Sequence, residues 1–193
     1  MPAEKKIAFQ GAPGAYSHLA CIQAYPDLQP VSCGDFEDTF AAVSEQRAAL
    51  AMIPIENSLG GRVADIHHLL PESRLFIINE HYQPVQHCLL APKGATLEGL
   101  RRIESHTQAL AQCRGLIQEL GVEAVPVADT AGAAKDVADS GDPQVGAIAS
   151  SLAGEIYGLD TLRTRIEDRL GNTTRFVTMS RTRAEPTRAT GRA

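Results

Sequence analysis

Two adjacent residues near the end of the chain, Thr174 and Arg175, have side chains suited to acid-assisted chemistry on an anion. An arginine guanidinium pairs with a carboxylate through two parallel hydrogen bonds, and a threonine hydroxyl can donate a proton. In a regular strand, neighbouring side chains point to opposite faces, so both reach one ligand only if the segment is irregular or ends a strand. Gly171-Asn172 favours such an irregularity. The alternative is an edge strand with a surface arginine.

A second polar cluster leaves an apolar stretch in Pro54-Ile55-Glu56-Asn57-Ser58-Leu59-Gly60-Gly61. Ligand-binding groups in α/β sheets collect at the carboxyl ends of strands, which makes Glu56, Asn57 and Ser58 candidates for a site. A solvated loop would explain the same residues without any ligand.

A third segment, Ser105-His106-Thr107-Gln108, fits a capping box in which Ser105 begins a helix. A functional interpretation places Ser105 and the first-turn N–H groups against a carboxylate. Gln108 and Gln112 are four residues apart, so we expect them to share one face of that helix. Capping and binding are compatible, and both interpretations stay open.

A glycine-rich turn, Gly11-Ala12-Pro13-Gly14-Ala15-Tyr16-Ser17, separates a strand-like segment from a helix-like one. It lacks the lysine of a phosphate-binding loop and the spacing of a dinucleotide-binding turn. Glycines let a loop approach a ligand closely, and a helix start offers free N–H groups to an anion. A plain strand-to-helix turn is the alternative.

Metal chemistry is unsupported by the sequence. His67 and His68 are adjacent, so on a helix they point about 100° apart. The four cysteines fit no zinc spacing, and we expect reduced, mostly buried thiols. We interpret the remaining histidines, including His81 and His87, as hydrogen-bonded or exposed.

Predicted strands and helices, which must position these residues, alternate along the chain. This alternation predicts an α/β fold with largely parallel sheets. Asp35 is predicted to cap a helix. The predicted strands cover 6–10, 30–33, 48–55, 75–78, 86–91, 103–105, 122–127, 145–149 and 176–179, and further helices cover 62–70, 107–120, 130–140 and 150–157.

Composition limits the class of protein. With 193 residues, 44% of them hydrophobic and 21% charged, the chain can bury a core. A net charge of -5 gives no general attraction to nucleic acid or to an anionic membrane. No apolar run reaches the roughly 18 residues of a membrane span, and the start lacks a signal-peptide core, so we expect a cytoplasmic protein. The arginine-containing segment 181–193 is predicted to be a disordered tail.

Taken together, these segments resemble the prephenate dehydratase family, from about Ile7 to Met179. The signatures appear in order. They are G-A-P-G-A-Y-S at 11–17, P-I-E-N-S-L-G-G at 54–61, S-H-T-Q-A-L-A-Q-C at 105–113, D-T-A-G-A-A at 129–134 and N-T-T-R-F at 172–176. The resemblance extends to arogenate dehydratases, which act on the aminated substrate. One departure is Thr107, where the family usually has proline, and a threonine should be tolerated there.

The resemblance implies a fold similar to type 2 periplasmic binding proteins, with two α/β lobes and a cleft between them. We place one lobe at 1–80 plus 160–180 and the other at 81–159. The family's catalytic threonine falls on Thr174, with Arg175 beside it. Glu56 is assigned either to orienting Thr174 or to acting as a second acid. The expected substrate-binding residues are Tyr16, Ser17, Asn57, Ser58, Ser105, Gln108, Gln112 and Thr173.

The implied activity is the decarboxylating dehydration of prephenate to phenylpyruvate, without a cofactor or metal and in a homodimer. Arogenate dehydratase is the near alternative, and a non-catalytic small-molecule binding protein is the distant one. Family members usually continue into an ACT-type domain that binds phenylalanine. We expect this sequence to lack that domain, either because the protein is naturally short or because the sequence is truncated.

Overall fold

The computed structural model describes residues 3–183, which form two α/β lobes, each built on its own sheet. A short 3-10 helix at Ala3–Lys5 precedes the first strand. Within the described residues no helix is both long and apolar enough to cross a membrane.

The first lobe contains a six-stranded sheet flanked by three helices. Its strands are β1 (Lys6–Gln10), β2 (Gln29–Cys33), β3 (Leu50–Asn57), β4 (Gly61–Arg62), β5 (Phe76–Pro84) and β11 (Thr173–Ser180), and its helices are α1 (Tyr16–Ala24), α2 (Phe36–Ser44) and α3 (Ile66–Glu72). The order is β2-β1-β3-β11-β5, with β4 paired to the end of β3. β1 is parallel to β2 and β3, whereas β11 runs antiparallel to both of its neighbours.

The second lobe contains a five-stranded sheet and four helices. Its strands are β6 (Cys88–Ala91), β7 (Arg102–His106), β8 (Glu123–Val127), β9 (Val145–Ala149) and β10 (Asp160–Thr164), and its helices are α4 (Thr107–Gln112), α5 (Arg114–Leu120), α6 (Thr130–Ser140) and α7 (Ser151–Tyr157). The order is β10-β6-β9-β7-β8, and β7, β8 and β9 are parallel. Their carboxyl ends therefore lie on one side and lead into the helices that face the first lobe.

Apolar side chains cover both faces of each sheet. In the first lobe Phe9 and Phe176 pack with α1, and Ile53 and Val177 pack on the opposite face with α2 and α3. Burying a side chain of this size contributes roughly 1.5–3 kcal/mol, so the two layers fix the strand order that places the ends of β3 and β11 together.

This architecture confirms the predicted α/β fold with two lobes. The predicted boundary at 160 is wrong, because β10 pairs with β6 and so belongs to the second lobe. The predicted start of the second lobe at 81 is wrong as well, because β5 of the first sheet extends to Pro84. β5 also continues through the polar stretch 79–83, which was expected to interrupt it. Both segments are edge strands with exposed faces, and they therefore carry no clear apolar pattern.

The helix predicted over 107–120 is broken at Cys113. Asp168 explains the break, since its backbone N–H donates to Gln112 O across 2.7 Å and its carboxylate accepts from Gly115 N at 3.0 Å. A residue distant in sequence thus ends α4 and caps α5. By contrast, Asp35 caps α2 as predicted, accepting from Asp38 N.

The predicted tail is described only at its start. The Arg181 guanidinium donates to Ala48 O at 3.1 Å and to Val43 O, so this residue packs on the first lobe. Residues 184–193 of the predicted disordered segment lie outside the described residues.

Candidate active site

Two chain segments connect the lobes, at residues 85–87 and 165–172, and they hydrogen-bond to each other. Val85 N donates to Asn172 O at 2.9 Å, and Ile166 N donates to His87 O at 3.2 Å. The Glu167 carboxylate also accepts from His87 N at 3.0 Å. The two connectors therefore form one hydrogen-bonded link between the lobes.

The glycine-rich turn of the first lobe packs against α7 of the second lobe. Ser150 Oγ donates to Gly14 O at 2.6 Å, and Tyr157 Oη donates to Pro13 O at 2.8 Å. Gly14 has φ +93°, and a Cβ there would come within 2.7 Å of Ala153 Cα. Only glycine fits both the backbone conformation and the close approach.

A cavity of about 260 Å³ lies between the lobes. Of the predicted site residues, five line it. They are Tyr16, Asn57, Gln108, Gln112 and Thr174. The other lining residues are Val63, Val85, His87, His106, Ala109, Asp129, Thr130 and Asn172. The predicted sharing of one helix face by Gln108 and Gln112 is confirmed, since both side chains reach this cavity.

Thr174 is held at the floor of the cavity by Asn57, its cross-strand partner in the β3–β11 register. Asn57 Nδ2 lies 3.0 Å from Thr174 Oγ1 and donates to it. The orientation of Asn57 is fixed by two backbone donors, because its Oδ1 accepts from Leu59 N at 3.0 Å and from Gly60 N at 2.7 Å. Thr174 is 9% exposed, so its hydroxyl meets the cavity with little competition from solvent.

A continuous series of hydrogen bonds runs from Asn57 across the cleft to the second lobe. Asn57 Nδ2 donates to Asn172 Oδ1 at 2.7 Å, and Asn172 Nδ2 donates to Gln112 Oε1 at 2.9 Å. His87 Nε2 lies 2.9 Å from the same Gln112 oxygen, and His87 Nδ1 lies 2.9 Å from Tyr16 Oη. Residues from both lobes and both connectors therefore form one polar network.

Burial sets the charge state of the groups in this network. It lowers the pKa of His87 below its ordinary value, against smaller opposing effects from Gln112 and Glu167. It also raises the pKa of Tyr16 well above the usual range, with Cys88, Cys113 and Glu167 adding to the effect. His87 and Tyr16 are therefore neutral near pH 7.

Arg175 and Glu56 do not line this cavity, although both were expected to take part in catalysis. They are cross-strand partners on the opposite face of the sheet. The Arg175 guanidinium donates to both Glu80 oxygens, at 2.8 and 3.1 Å, and its hydrogen bonds hold the pKa of that carboxyl below its ordinary value. Glu56 is exposed and lacks the burial that a second acid would need.

Ser58 and Thr173 also lie outside the cavity, beside Arg175. Ser58 N donates to Thr173 O at 2.9 Å, and Ser58 Oγ accepts from Thr173 N at 3.0 Å. These bonds clamp the end of β3 to the start of β11. The two residues position Thr174 through the backbone, and their side chains do not line the cleft.

Ser105 and Ser17 are buried beneath the cavity and do not line it. The capping box at Ser105 is wrong, because its hydroxyl donates to Ile148 O in β9 at 2.6 Å. The N-cap of α4 is His106 instead, whose Nδ1 accepts from Gln108 N at 3.2 Å. Ser105 thus ties two strands together under the site.

Several lining residues were not predicted. Asn172, Asp129 and Thr130 stand inside the motifs that carry the family resemblance, which was the available signal for them. His87 lies in the connector 85–87 and has no local sequence pattern, because its contacts with Tyr16 and Gln112 join residues distant in sequence. Among residues 3–183, no three histidine, cysteine, aspartate or glutamate side chains are grouped to hold a metal ion.

The fold thus consists of two α/β lobes that are joined by two chain segments and that border a cavity between them. A family model described as prephenate dehydratase matches residues 7–184. The chain belongs to the prephenate dehydratase family.

Curated relatives agree with this assignment. The chain is 54% identical over 181 residues to a bifunctional N-acyl-homoserine lactone acylase/prephenate dehydratase from Komagataeibacter europaeus, covering 94% of this chain and 64% of the relative. It is 44% identical over 176 residues to arogenate dehydratase/prephenate dehydratase 1 from Arabidopsis thaliana, covering 91% of this chain and 45% of that protein. The chain thus spans less than two thirds of the length of these relatives.

A solved structure gives the same result for the fold. Prephenate dehydratase from Arthrobacter aurescens, in complex with L-Phe, superposes with a TM-score of 0.86 at 31% identity. The match covers 95% of this chain and 63% of that one.

Proposed function

We propose that this chain catalyses the decarboxylating dehydration of prephenate to phenylpyruvate, with Thr174 as the proton donor. The observation that carries the proposal is the hydrogen bond from Asn57 Nδ2 to Thr174 Oγ1. Because Thr174 accepts this bond, its own O–H proton is free to be donated into the cavity.

The reaction needs little besides a positioned acid. Prephenate carries a carboxylate and a hydroxyl across a cyclohexadiene ring. Thr174 protonates the hydroxyl as its C–O bond breaks, and water leaves. The ring carboxylate departs as CO2, and its C–C bonding electrons complete the aromatic ring. The donor then recovers a proton from solvent.

The contact with Asn57 supports this acid role. As Thr174 gives up its proton, negative charge builds on Oγ1. The Asn57 N–H already points at that oxygen and needs no rearrangement to stabilise the charge. A preorganised donor of this kind lowers the barrier because it interacts more strongly with the transition state than with the ground state.

The cavity binds an anion with neutral donors. Among the described residues that line it there is no lysine or arginine. The available donors are the side-chain amides of Gln108 and Gln112, together with the N-terminus of α6 at Thr130. Amide donors and a helix N-terminus hold carboxylates with fixed geometry.

The test is turnover of purified protein with prephenate in the presence of EDTA, followed by the appearance of phenylpyruvate. We expect activity without added metal, because the sequence offers no metal-binding motif. A requirement for added metal, or an absence of product under all conditions, would contradict the proposal.

Arogenate is the second candidate substrate, and Asp129 is the observation that favours it. This acidic residue lines the cavity, and arogenate carries an ammonium group where prephenate carries a carbonyl. Asp129 Oδ1 also caps α6 by accepting from Gly132 N at 2.7 Å. Asp129→Asn keeps a capping oxygen and removes the charge. If arogenate is the preferred substrate, this change lowers its kcat/KM more than that of prephenate.

The acylase activity named for the Komagataeibacter relative is a further candidate, and the 54% identity supports testing it. Amide hydrolysis commonly uses an activated nucleophile. The four cysteines are buried, and burial raises the pKa of Cys113 to about 12, which disfavours a thiolate. An N-acyl-homoserine lactone therefore belongs in the same assay as a third substrate, with Thr174→Val separating the two activities.

A further inference from the structure

The orientation of every amide in the cleft network follows from two backbone N–H groups. Leu59 N and Gly60 N both donate to Asn57, which identifies the accepting atom as Oδ1 and leaves Nδ2 as a donor. Asn57 Nδ2 then requires an acceptor on Asn172, which is Oδ1. The oxygen and nitrogen atoms of the Asn57 and Asn172 side-chain amides are therefore assigned by successive hydrogen bonds that begin at two backbone donors.

The same logic reaches the imidazole. Since Asn172 Oδ1 accepts, its Nδ2 donates, and the Gln112 atom that receives this bond is Oε1. His87 Nε2 contacts the same oxygen at 2.9 Å, so Nε2 must carry a proton. Tyr16 Oη lies 2.9 Å from His87 Nδ1 and also 2.9 Å from Gln86 O. The phenol has one proton and donates to one of these two acceptors at a time, and beside a neutral imidazole with its proton on Nε2 that acceptor is Nδ1.

One group is left over, the Gln112 NH2. Gln112 Oε1 is occupied by two donors, and within the described residues Nε2 makes no hydrogen bond. Gln112 lines the cavity, so its unused N–H groups are available to a bound anion. The two donors to Oε1 prevent the amide from flipping, which would present an oxygen to that anion instead.

We propose that His87, in its Nε2–H form, is a positioning residue that locks the Gln112 amide with its NH2 group toward the substrate. This rests on the proposed function, since it assigns a role within that same site. His87 is 3% exposed and its two ring nitrogens contact Tyr16 and Gln112, so we infer that it acts through Gln112.

The surroundings keep His87 neutral. The titratable groups that face it are Tyr16 and Glu167, and Tyr16 in turn is influenced by Cys88 and Cys113. Glu167 is tied to the backbone N–H of His87 and opposes the effect of burial only in part. A neutral ring with its proton on Nε2 donates to Gln112 and accepts from Tyr16. A doubly protonated ring would carry a second N–H at Nδ1, which would donate to Tyr16 Oη and reverse that hydrogen bond.

The first experiment reads the tautomer directly and needs no turnover. Two-bond 15N–1H correlation spectra of 15N-histidine-labelled protein near pH 7.5 should show His87 as neutral with the proton on Nε2, assigned by its loss in His87→Gln. A proton on Nδ1, or a doubly protonated ring, would overturn the inference whether or not the protein turns over prephenate.

The second experiment compares two isosteric replacements. Gln places an amide near the Nε2 position and preserves a donor to Gln112, whereas Asn places its amide near Nδ1. We expect His87→Asn to lower kcat/KM by about tenfold, the size of one hydrogen bond, and His87→Gln to lower it much less. His68→Gln, an exposed histidine on α3, is the matched control.

A double-mutant cycle shows whether His87 acts through Gln112. If it does, His87→Asn in a Gln112→Ala background has no further effect on kcat/KM. Additive losses, or equal activity of the Asn and Gln variants, would show that His87 has only a structural role. A wild-type protein without turnover would instead contradict the proposed function and leave the tautomer measurement to decide the inference.

Discussion

Asn57 Nδ2 donates to Thr174 Oγ1 across 3.0 Å, from the end of one strand to the start of its antiparallel neighbour. The preceding residue of β11, Thr173, lies on the other face, where its backbone N donates to Ser58 Oγ. Two adjacent threonines therefore differ in the one contact that prepares a hydroxyl for proton donation.

Thr174→Val should lower kcat by on the order of 10² or more, because it removes the donor and keeps the β-branched shape. Thr174→Ser should retain part of the activity. Thr173→Val is the matched control and should cost much less. Steady-state kinetics with circular dichroism of each variant provide the measurement, and a greater loss in Thr173→Val would reverse the assignment.

Arg175→Ala should leave KM for prephenate close to the wild-type value. From the sequence alone this arginine is expected to hold a substrate carboxylate, and its loss would then raise KM. In the structure its guanidinium pairs with Glu80 outside the cavity, where solvent weakens the interaction. Glu80→Gln is the matching change on the other side of the pair. A large rise in KM for Arg175→Ala but not for Glu80→Gln would show that Arg175 contacts the substrate directly.

The stability of the protein should decrease as pH falls below about 6.5, because the half-buried His18 and the buried His87 both favour the neutral form in the folded protein. Burial lowers the pKa of both His18 and His87 from the ordinary 6.5, so the unfolded chain binds more protons in this range. Their contribution is complete above the unfolded pKa and is lost as pH falls through the lower folded values. Urea unfolding between about pH 5 and 8 measures this dependence.

His18→Asn tests one part of that pH dependence. His18 Nδ1 accepts from Gly14 N at 3.0 Å and the ring stacks on Phe9, so a protonated ring would lose the bond. Asn provides an oxygen near the same position and does not titrate. The variant should show a shallower pH dependence than the wild type, and His68→Asn, at an exposed position, should not.

Gly14→Ala should destabilise the protein more than Gly94→Ala. Both glycines have positive φ, at +93° and +81°, so each substitution carries about 1–3 kcal/mol of backbone strain. Only Gly14 also faces the backbone of Ala153, whereas nothing lies within 4 Å of a Cβ at Gly94. The difference in unfolding free energy therefore measures the close packing between the lobes, and equal losses would show that this contact is dispensable.

The sequence predicted the fold class and the strongly patterned elements, because buried strands such as Val145–Ala149 consist of apolar residues throughout. It also identified Thr174, Asn57 and Gln112 through motifs. It did not predict that Arg175 lies outside the cleft, although the alternation of side chains in a regular strand places Thr174 and Arg175 on opposite faces. The bulge in the β3–β11 pairing falls after Arg175, and Thr174 and Arg175 keep opposite faces.

The position of His87 illustrates what local patterns cannot show. Its partners Tyr16 and Gln112 are separated from it by 71 and 25 residues, and the contacts exist only after both lobes have formed. Likewise, the edge strand β10 has polar, exposed residues and is defined by its hydrogen bonds with β6. Such features depend on tertiary structure, which the secondary-structure propensities of single segments do not encode.

The strand order of the first lobe has a consequence for synthesis on the ribosome. Of the described strands β11 emerges last, yet it lies between β3 and β5 and pairs with both along its length. Until it arrives, those two strands lack their shared neighbour and expose unpaired edges. The second lobe, by contrast, has all five of its strands between residues 88 and 164. During translation it can therefore complete its sheet before β11 emerges, and insertion of β11 between β3 and β5 then brings Thr174 to Asn57.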